Sequence, residues 1–139
     1  MRATKDGYYT NRHSCFLLQY HLVLVTKFRK PVIDGELKEG LLEYVRNYFK
    51  QQNLVLLEVD AQPDQLHIQF EAPPQIVLAN FVNAFKAASS RIMRSRYQEQ
   101  VSQHYSDSHF WSLSYFIGSV SDRTADTVKR YIQNQDEQE

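Results

Sequence analysis

Pro63-Asp64-Gln65-Leu66-His67-Ile68-Gln69-Phe70 (PDQLHIQF) is the stretch on which the fold turns. From Gln65 to Phe70 polar and apolar residues alternate, the period of a strand whose side chains point to opposite faces in turn. Leu66, Ile68 and Phe70 belong to the face that packs on helices. Gln65, His67 and Gln69 belong to the opposite face, where a His and a Gln two residues apart can reach one ion. Gln62, Pro63 and Asp64 form the preceding turn, and Pro73-Pro74 ends the strand after Glu71.

Outward from this strand the pattern is regular. Leu54–Ala61 (LVLLEVDA) reads as the strand before the turn, and Phe16–Thr26 (FLLQYHLVLVT) as a buried first strand. Between them Leu37, Leu41, Tyr44, Val45, Tyr48 and Phe49 recur at helical spacing, in a helix opening at Asp34 or Gly35 and running to about Gln52. Phe81, Phe85, Ala88 and Ile92 mark one face of a second helix from about Ile76 to Tyr97. Residues 98–109 read as a polar connection and Leu113–Val120 (LSYFIGSV) as a fourth strand. Thr124–Gln135 reads as a last helix capped by Ser121 or Asp122. The order β-α-β-β-α-β-α predicts an α+β, ferredoxin-like split βαβ antiparallel sheet with an extra C-terminal helix. One domain over 1–139 is expected, with 1–13 as an N-terminal arm and 123–139 as a helix and acidic tail.

Composition narrows the class. The chain has 139 residues, 42% of them hydrophobic, as in a globular domain with one core. No apolar run approaches the roughly 20 residues of a membrane span. Met1–Asn11 is too polar for a signal peptide. The single Cys15 precedes an apolar run and is expected to be a buried small hydrophobe, which fits a reducing cytoplasm. Net charge is zero, but the charges are segregated. Residues 1–30 carry Arg2, Lys5, Arg12, Lys27, Arg29 and Lys30 against Asp6 alone, whereas 31–60 carry six acids and three bases. Residues 81–98 carry Lys86, Arg91, Arg94 and Arg96 with no acid. Such segregation can leave a basic face on a neutral protein, the footprint of a nucleic-acid site. Lys27, Arg29, Lys30, Lys86, Arg91 and Arg94 are therefore candidate DNA contacts, and Ser89 and Ser90 candidate phosphate donors. There is no CxxC pair, phosphate loop, dinucleotide glycine pattern or serine-nucleophile elbow.

In the last helix Tyr131 and Gln135 stand at i, i+4 on one face, and Lys129 and Arg130 beside Tyr131 can stabilise phosphates or a phenolate. Taken in order, these pieces resemble the single-tyrosine HUH transposases of the insertion-sequence 200/605 family, relatives associated with repeated palindromes included. YHLVLVTKFRKPV (Tyr20–Val32) resembles the family's first strand and its exit. PDQLHIQF falls at its His-hydrophobic-His signature, and FKAASSRIMR (Phe85–Arg94) at its Lys…Ser-Ser-Arg helix. FWSLSYFIGSVS (Phe110–Ser121) resembles its Trp-x-x-x-Tyr-Phe strand, and VKRYIQNQ (Val128–Gln135) its Tyr-Ile-x-x-Gln helix. The resemblance implies a transposase that cuts and rejoins single-stranded DNA at hairpin-bearing ends. Tyr131 would be the nucleophile and form a 5′-phosphotyrosine, with Mg²⁺ or Mn²⁺ held by His67, Gln135 and, by location, Gln65. It further implies a homodimer whose active sites are completed in trans, and a prokaryotic host in whose cytoplasm the protein joins the nucleoid when bound to DNA.

Position 65 departs from the family pattern, which has His there. An amide oxygen is a neutral donor suited to hard cations. The alternative expectation is thus a weakened or inactive hairpin-binding protein. An RNA-binding module on the same fold would present aromatics on the free sheet face; Gln65, His67 and Gln69 stand there instead.

Overall fold

The computed structural model describes residues 2–3, 7–120 and 129–134. A four-stranded antiparallel sheet forms from β4 (Gln19–Val25), β5 (Val55–Gln62), β6 (Gln65–Glu71) and β7 (Phe116–Ser119), in the spatial order β5-β6-β4-β7. Helices α1 (Gly35–Gln51) and α2 (Leu78–Arg96) connect these strands. The strand order and the two crossovers are those of the ferredoxin-like split βαβ fold, as expected. Among the described residues no helix is long and apolar enough to cross a membrane.

Alternation divides the sheet into two chemically different faces. Leu22 and Leu24 of β4 join Leu66, Ile68 and Phe70 of β6, all fully buried, against Leu37, Leu41, Val45 and Phe49 of α1 and Phe81, Val82 and Phe85 of α2. Phe49, Phe70 and Phe81 pack with ring centroids 5.2–5.7 Å apart, edge-to-face or tilted, where both helices meet the sheet. Asn53 ends α1 with φ 57, a left-handed conformation that Asn tolerates.

Four details depart from the sequence expectation. The first strand is shorter at its start. Cys15–Phe16 forms β3 of a separate three-stranded sheet with β2 (Tyr9–Thr10) and β1 (Arg2–Ala3), so part of the segment read as an arm is strand. Within β3 Phe16 takes the inward direction, so Cys15, expected to be buried, is exposed. Residues read as connection include a short helix α3 (Gln98–Ser102), whose Val101 packs into the core. The fourth strand is shorter than read because it bulges. Thr26 bridges Trp111 and Val23 pairs with Phe116, so residues 112–115 of one strand run beside only residues 24–25 of the other. The surplus puts Leu113 in solvent, 87% exposed.

The apolar stripe of α2 also turns further inward than its pattern implied. Ser89, expected as a phosphate donor, is fully buried; its hydroxyl donates to the Phe85 carbonyl at 2.7 Å and accepts the Trp111 indole N–H at 2.9 Å. Ser89→Ala should therefore lower the unfolding free energy by about 1–3 kcal/mol in a denaturant titration, because the buried indole N–H loses its acceptor.

Candidate active site

The free face of the sheet is built from the residues that alternation excludes from the core. On β6 these are Gln65, His67 and Gln69; their partners on β4 are Val25, Val23 and His21. Gln65 and His67 converge. The Gln65 Oε1 lies 2.6 Å from His67 Nε2, while the Gln65 amide nitrogen donates to Asp64 Oδ1 at 3.2 Å. Because an ionised carboxylate only accepts, Asp64 turns the amide so that its oxygen, not its nitrogen, faces His67. The second Asp64 oxygen accepts Arg29 Nε at 2.9 Å.

An amide oxygen that suits hard cations and an imidazole nitrogen that suits transition metals thus lie 2.6 Å apart, a pair that would hold one divalent ion after a small opening. Burial, and then the nearby His21 ring, push His67 below the ordinary histidine pKa against the pull of Asp60 and Asp64. That favours the neutral imidazole a metal requires. Gln135, the third expected ligand, lies outside the described residues. Among the described residues no group of three or more His, Cys, Asp or Glu is placed to hold a metal ion.

His21, Glu58 and Asp60 are neighbours that sequence reasoning missed. With His67 and Gln69 they line a cleft of about 170 Å³. The His21 and His67 rings are 5.6 Å apart, and burial lowers the His21 pKa against the pull of Glu58. Alternation along β4 already sets His21 opposite Leu22 and Leu24, but its neighbours require the strand register. Glu58 and Asp60 pair with Gln69 and His67 in a register that runs unbroken from Gln62 opposite Gln65, so alternation puts both acids on the free face; the bulge at Leu57 lies beyond them, between Leu56 and Glu58.

The other half of this face is apolar. Val23 and Val25 form a small buried cluster with Phe116, Tyr131 and Ile132. Residues 129–134 are helical, so one short helical segment rests on the sheet through Tyr131 and Ile132. The Tyr131 ring lies 5.9 Å from that of Phe116, and its Oη is 2.9 Å from Ser114 Oγ, at an exposed position. Ser114 belongs to the bulge that breaks the fourth strand, which is why no strand pattern revealed it. Tyr131 thus packs on Val23 and Val25, whose partners across the strand pair are His67 and Gln65.

The basic candidates separate into groups. Lys27, Arg29 and Lys30 flank the 3₁₀ turn Lys27–Arg29 at the exit of β4, beside Asp64. Lys86 donates to the carbonyls of Ser112 and Leu113 at 2.8 and 2.9 Å, holding the start of the bulge. Arg91 and Arg94 line a separate open cavity of about 470 Å³ with Ser95, Ser102 and Tyr105. Lys129 and Arg130 are exposed beside Tyr131.

Comparison with known proteins supplies the family. Residues 14–135 match the family model described as IS200-like transposase. The chain is similar to the ISDra2 transposase TnpA of Deinococcus radiodurans, 33% identical over 124 residues, covering 89% of this chain and 88% of that protein. It is also similar to the transposase for insertion sequence element IS200 of Salmonella typhimurium, 25% identical over 127 residues, covering 91% and 82%. A crystal structure described as a candidate transposase from Deinococcus radiodurans R1 superposes with a TM-score of 0.85 at 34% identity, covering 91% of this chain and 97% of that one. The chain belongs to the IS200-like transposase family.

Proposed function

We propose that this transposase cuts and rejoins single-stranded DNA at hairpin-bearing element ends through a 5′-phosphotyrosine on Tyr131, with Mg²⁺ or Mn²⁺ bound by Gln65, His67 and Gln135. The observation that carries this reading is that Tyr131 and the converging Gln65–His67 pair share one sheet face, a single strand apart.

The chemistry follows from that placement. A phenol with a pKa near 10 is about one part in a thousand phenolate at neutral pH, so attack needs positioning and charge stabilisation. Packing on Phe116 and the contact with Ser114 Oγ hold the Tyr131 ring and hydroxyl. Oη attacks phosphorus in line and loses its proton to solvent. The bond from phosphorus to the 3′ oxygen breaks, and that oxygen leaves as a protonated 3′-OH. The phosphotyrosine conserves the bond for rejoining when a second 3′-OH attacks. Bound at Gln65 and His67, the ion would offset charge developing on the scissile phosphate. Lys129 and Arg130 add cations beside the nucleophile.

Two ends must be cut for strand transfer, which supports a homodimer; the family resemblance implies that it works on nucleoid DNA in the cytoplasm of a prokaryotic host. The family resemblance has the tyrosine helix crossing to the partner's site. Within one chain Tyr131 packs on its own sheet, so completion in cis is the arrangement against which completion in trans is tested.

Tyr131→Phe should fold and bind hairpin DNA normally yet form no covalent adduct with a labelled strand on a denaturing gel; a persisting adduct would point to another tyrosine. Mixing Tyr131→Phe with His67→Ala decides between the arrangements: cleavage restored by the mixture requires completion in trans.

Position 65 decides between an enzyme and a binder. Two neutral amide oxygens and one imidazole should hold a metal weakly without DNA, the phosphate supplying the missing charge. Gln65→His should raise Mn²⁺ affinity in calorimetry and increase the cleavage rate by about tenfold, given the 10- to 100-fold effects typical of changes around a metal site. Hairpin affinity should stay the same. If neither metal binding nor cleavage moves, position 65 is not a ligand.

Arg91 and Arg94 test the basic face. Replacing both with Ala should weaken hairpin binding and reduce the slope of log affinity against log salt by about 0.7–0.9 for each phosphate that is no longer neutralised. An unchanged slope would return both to the solvated surface.

A further inference from the structure

The exit of β4 contains a feature that neither the core nor the metal site explains. Phe28 has φ 57 and ψ 18, and Arg29 follows with φ 52, so two successive non-glycine residues are left-handed. For a bulky residue this is a rare conformation that persists only where its surroundings impose it. They do so here. Thr26, fully buried, donates its hydroxyl to the Lys30 carbonyl at 2.8 Å, and the Arg29 N–H returns to the Thr26 carbonyl at 2.9 Å. The Lys27 N–H donates to the Phe110 carbonyl at 2.9 Å, and the Lys27 carbonyl accepts the Tyr105 hydroxyl at 2.6 Å. The Asp64 carboxylate holds Arg29 from the side.

This anchoring fixes the backbone and presents the Phe28 ring to solvent, 51% exposed. A left-handed aromatic that filled the core would be explained by packing; this one contributes little to it. The surroundings of the ring are those of a nucleobase platform. Lys27 Nζ lies 5.1 Å from its centroid, and His109 meets it in a T-shaped contact at 6.3 Å, bringing a second aromatic ring to the platform. Lys30 is exposed one residue beyond Arg29. A π-face amid cations, on a rigid turn, is how proteins hold unpaired bases without reading their edges. The location agrees, because Asp64 binds Arg29 of this turn through one oxygen and Gln65 of the candidate metal site through the other.

We infer that Phe28 is a stacking platform for one unpaired nucleobase of the single strand, held at the Gln65 end of the active site. This rests on the single-stranded DNA reading above. It assigns Phe28 a binding role through its ring rather than a structural one.

The test uses the full chain and a hairpin oligonucleotide from the element ends, with 2-aminopurine placed in turn at each unpaired position. The unsubstituted protein should quench one position on binding. Phe28→Gly should abolish that quenching and weaken binding by about tenfold, within the range for removing one aromatic–base stack. Its melting temperature should hold or rise, because glycine adopts the left-handed conformation freely. Phe28→Tyr should restore both quenching and affinity. Unchanged quenching and affinity in Phe28→Gly, with binding intact, would overturn the stacking inference alone. Weaker binding with a lowered melting temperature would assign Phe28 to folding and overturn it too. Failure of the unsubstituted protein to bind the oligonucleotide would overturn the DNA reading itself, and this inference with it.

Discussion

The antiparallel pairing of β4 with β6 is the constraint on which the rest of the molecule depends. Seven residue pairs, from Gln19 opposite Glu71 to Val25 opposite Gln65, lock the two central strands in one register. Side chains alternate, so this register commits Leu22, Leu24, Leu66, Ile68 and Phe70 to the helices and sends every second residue to the other face. A slip by one residue would bury His67 and Gln65 among the phenylalanines and expose the leucines. Core stability and the geometry of the site are therefore one property. Whatever holds Leu66 and Ile68 in place also holds His67 between them.

The free face divides into a polar half and an apolar half. His21, His67, Gln69, Glu58 and Asp60 form a cleft, while Val23, Val25 and Phe116 form the seat for Tyr131 and Ile132. This division brings a phenol beside candidate metal ligands without burying either. An apolar seat fixes the aromatic body of tyrosine by packing and leaves its hydroxyl at the surface beside Ser114. The polar half keeps its histidines partly desolvated, which lowers both pKa values.

Asp64 organises the edge of the site. One residue in the turn between β5 and β6 orients the Gln65 amide, pairs with Arg29, and offers its backbone carbonyl to the Thr26 N–H and hydroxyl. The strained turn carrying Phe28 and the amide facing His67 thus share one anchor. Asp64 thereby ensures that the oxygen of the Gln65 amide, not its N–H, faces His67.

Local periodicity determined much of this protein. Strict alternation in PDQLHIQF identified β6 and both its faces, helical spacing identified α1 and α2, and the element order specified the ferredoxin-like sheet. These follow from sequence because each depends on residues close together in the chain. Tertiary structure alone decided what depends on register and irregularity. The pairing of β5 with β6 brought Glu58 and Asp60 beside His67, and the bulge after Trp111, whose inserted residues break the period that a pattern reading relies on, brought Ser114 to Tyr131. Ser89 looked like a phosphate donor because its neighbours are basic, and only the packing of α2 showed that it binds the Trp111 indole. Asp64 looked like an ordinary turn residue, since nothing in one dimension reveals that Arg29 and Gln65 meet at its two oxygens. Contacts between residues distant in sequence are set by the folded backbone, and the site is made of such contacts.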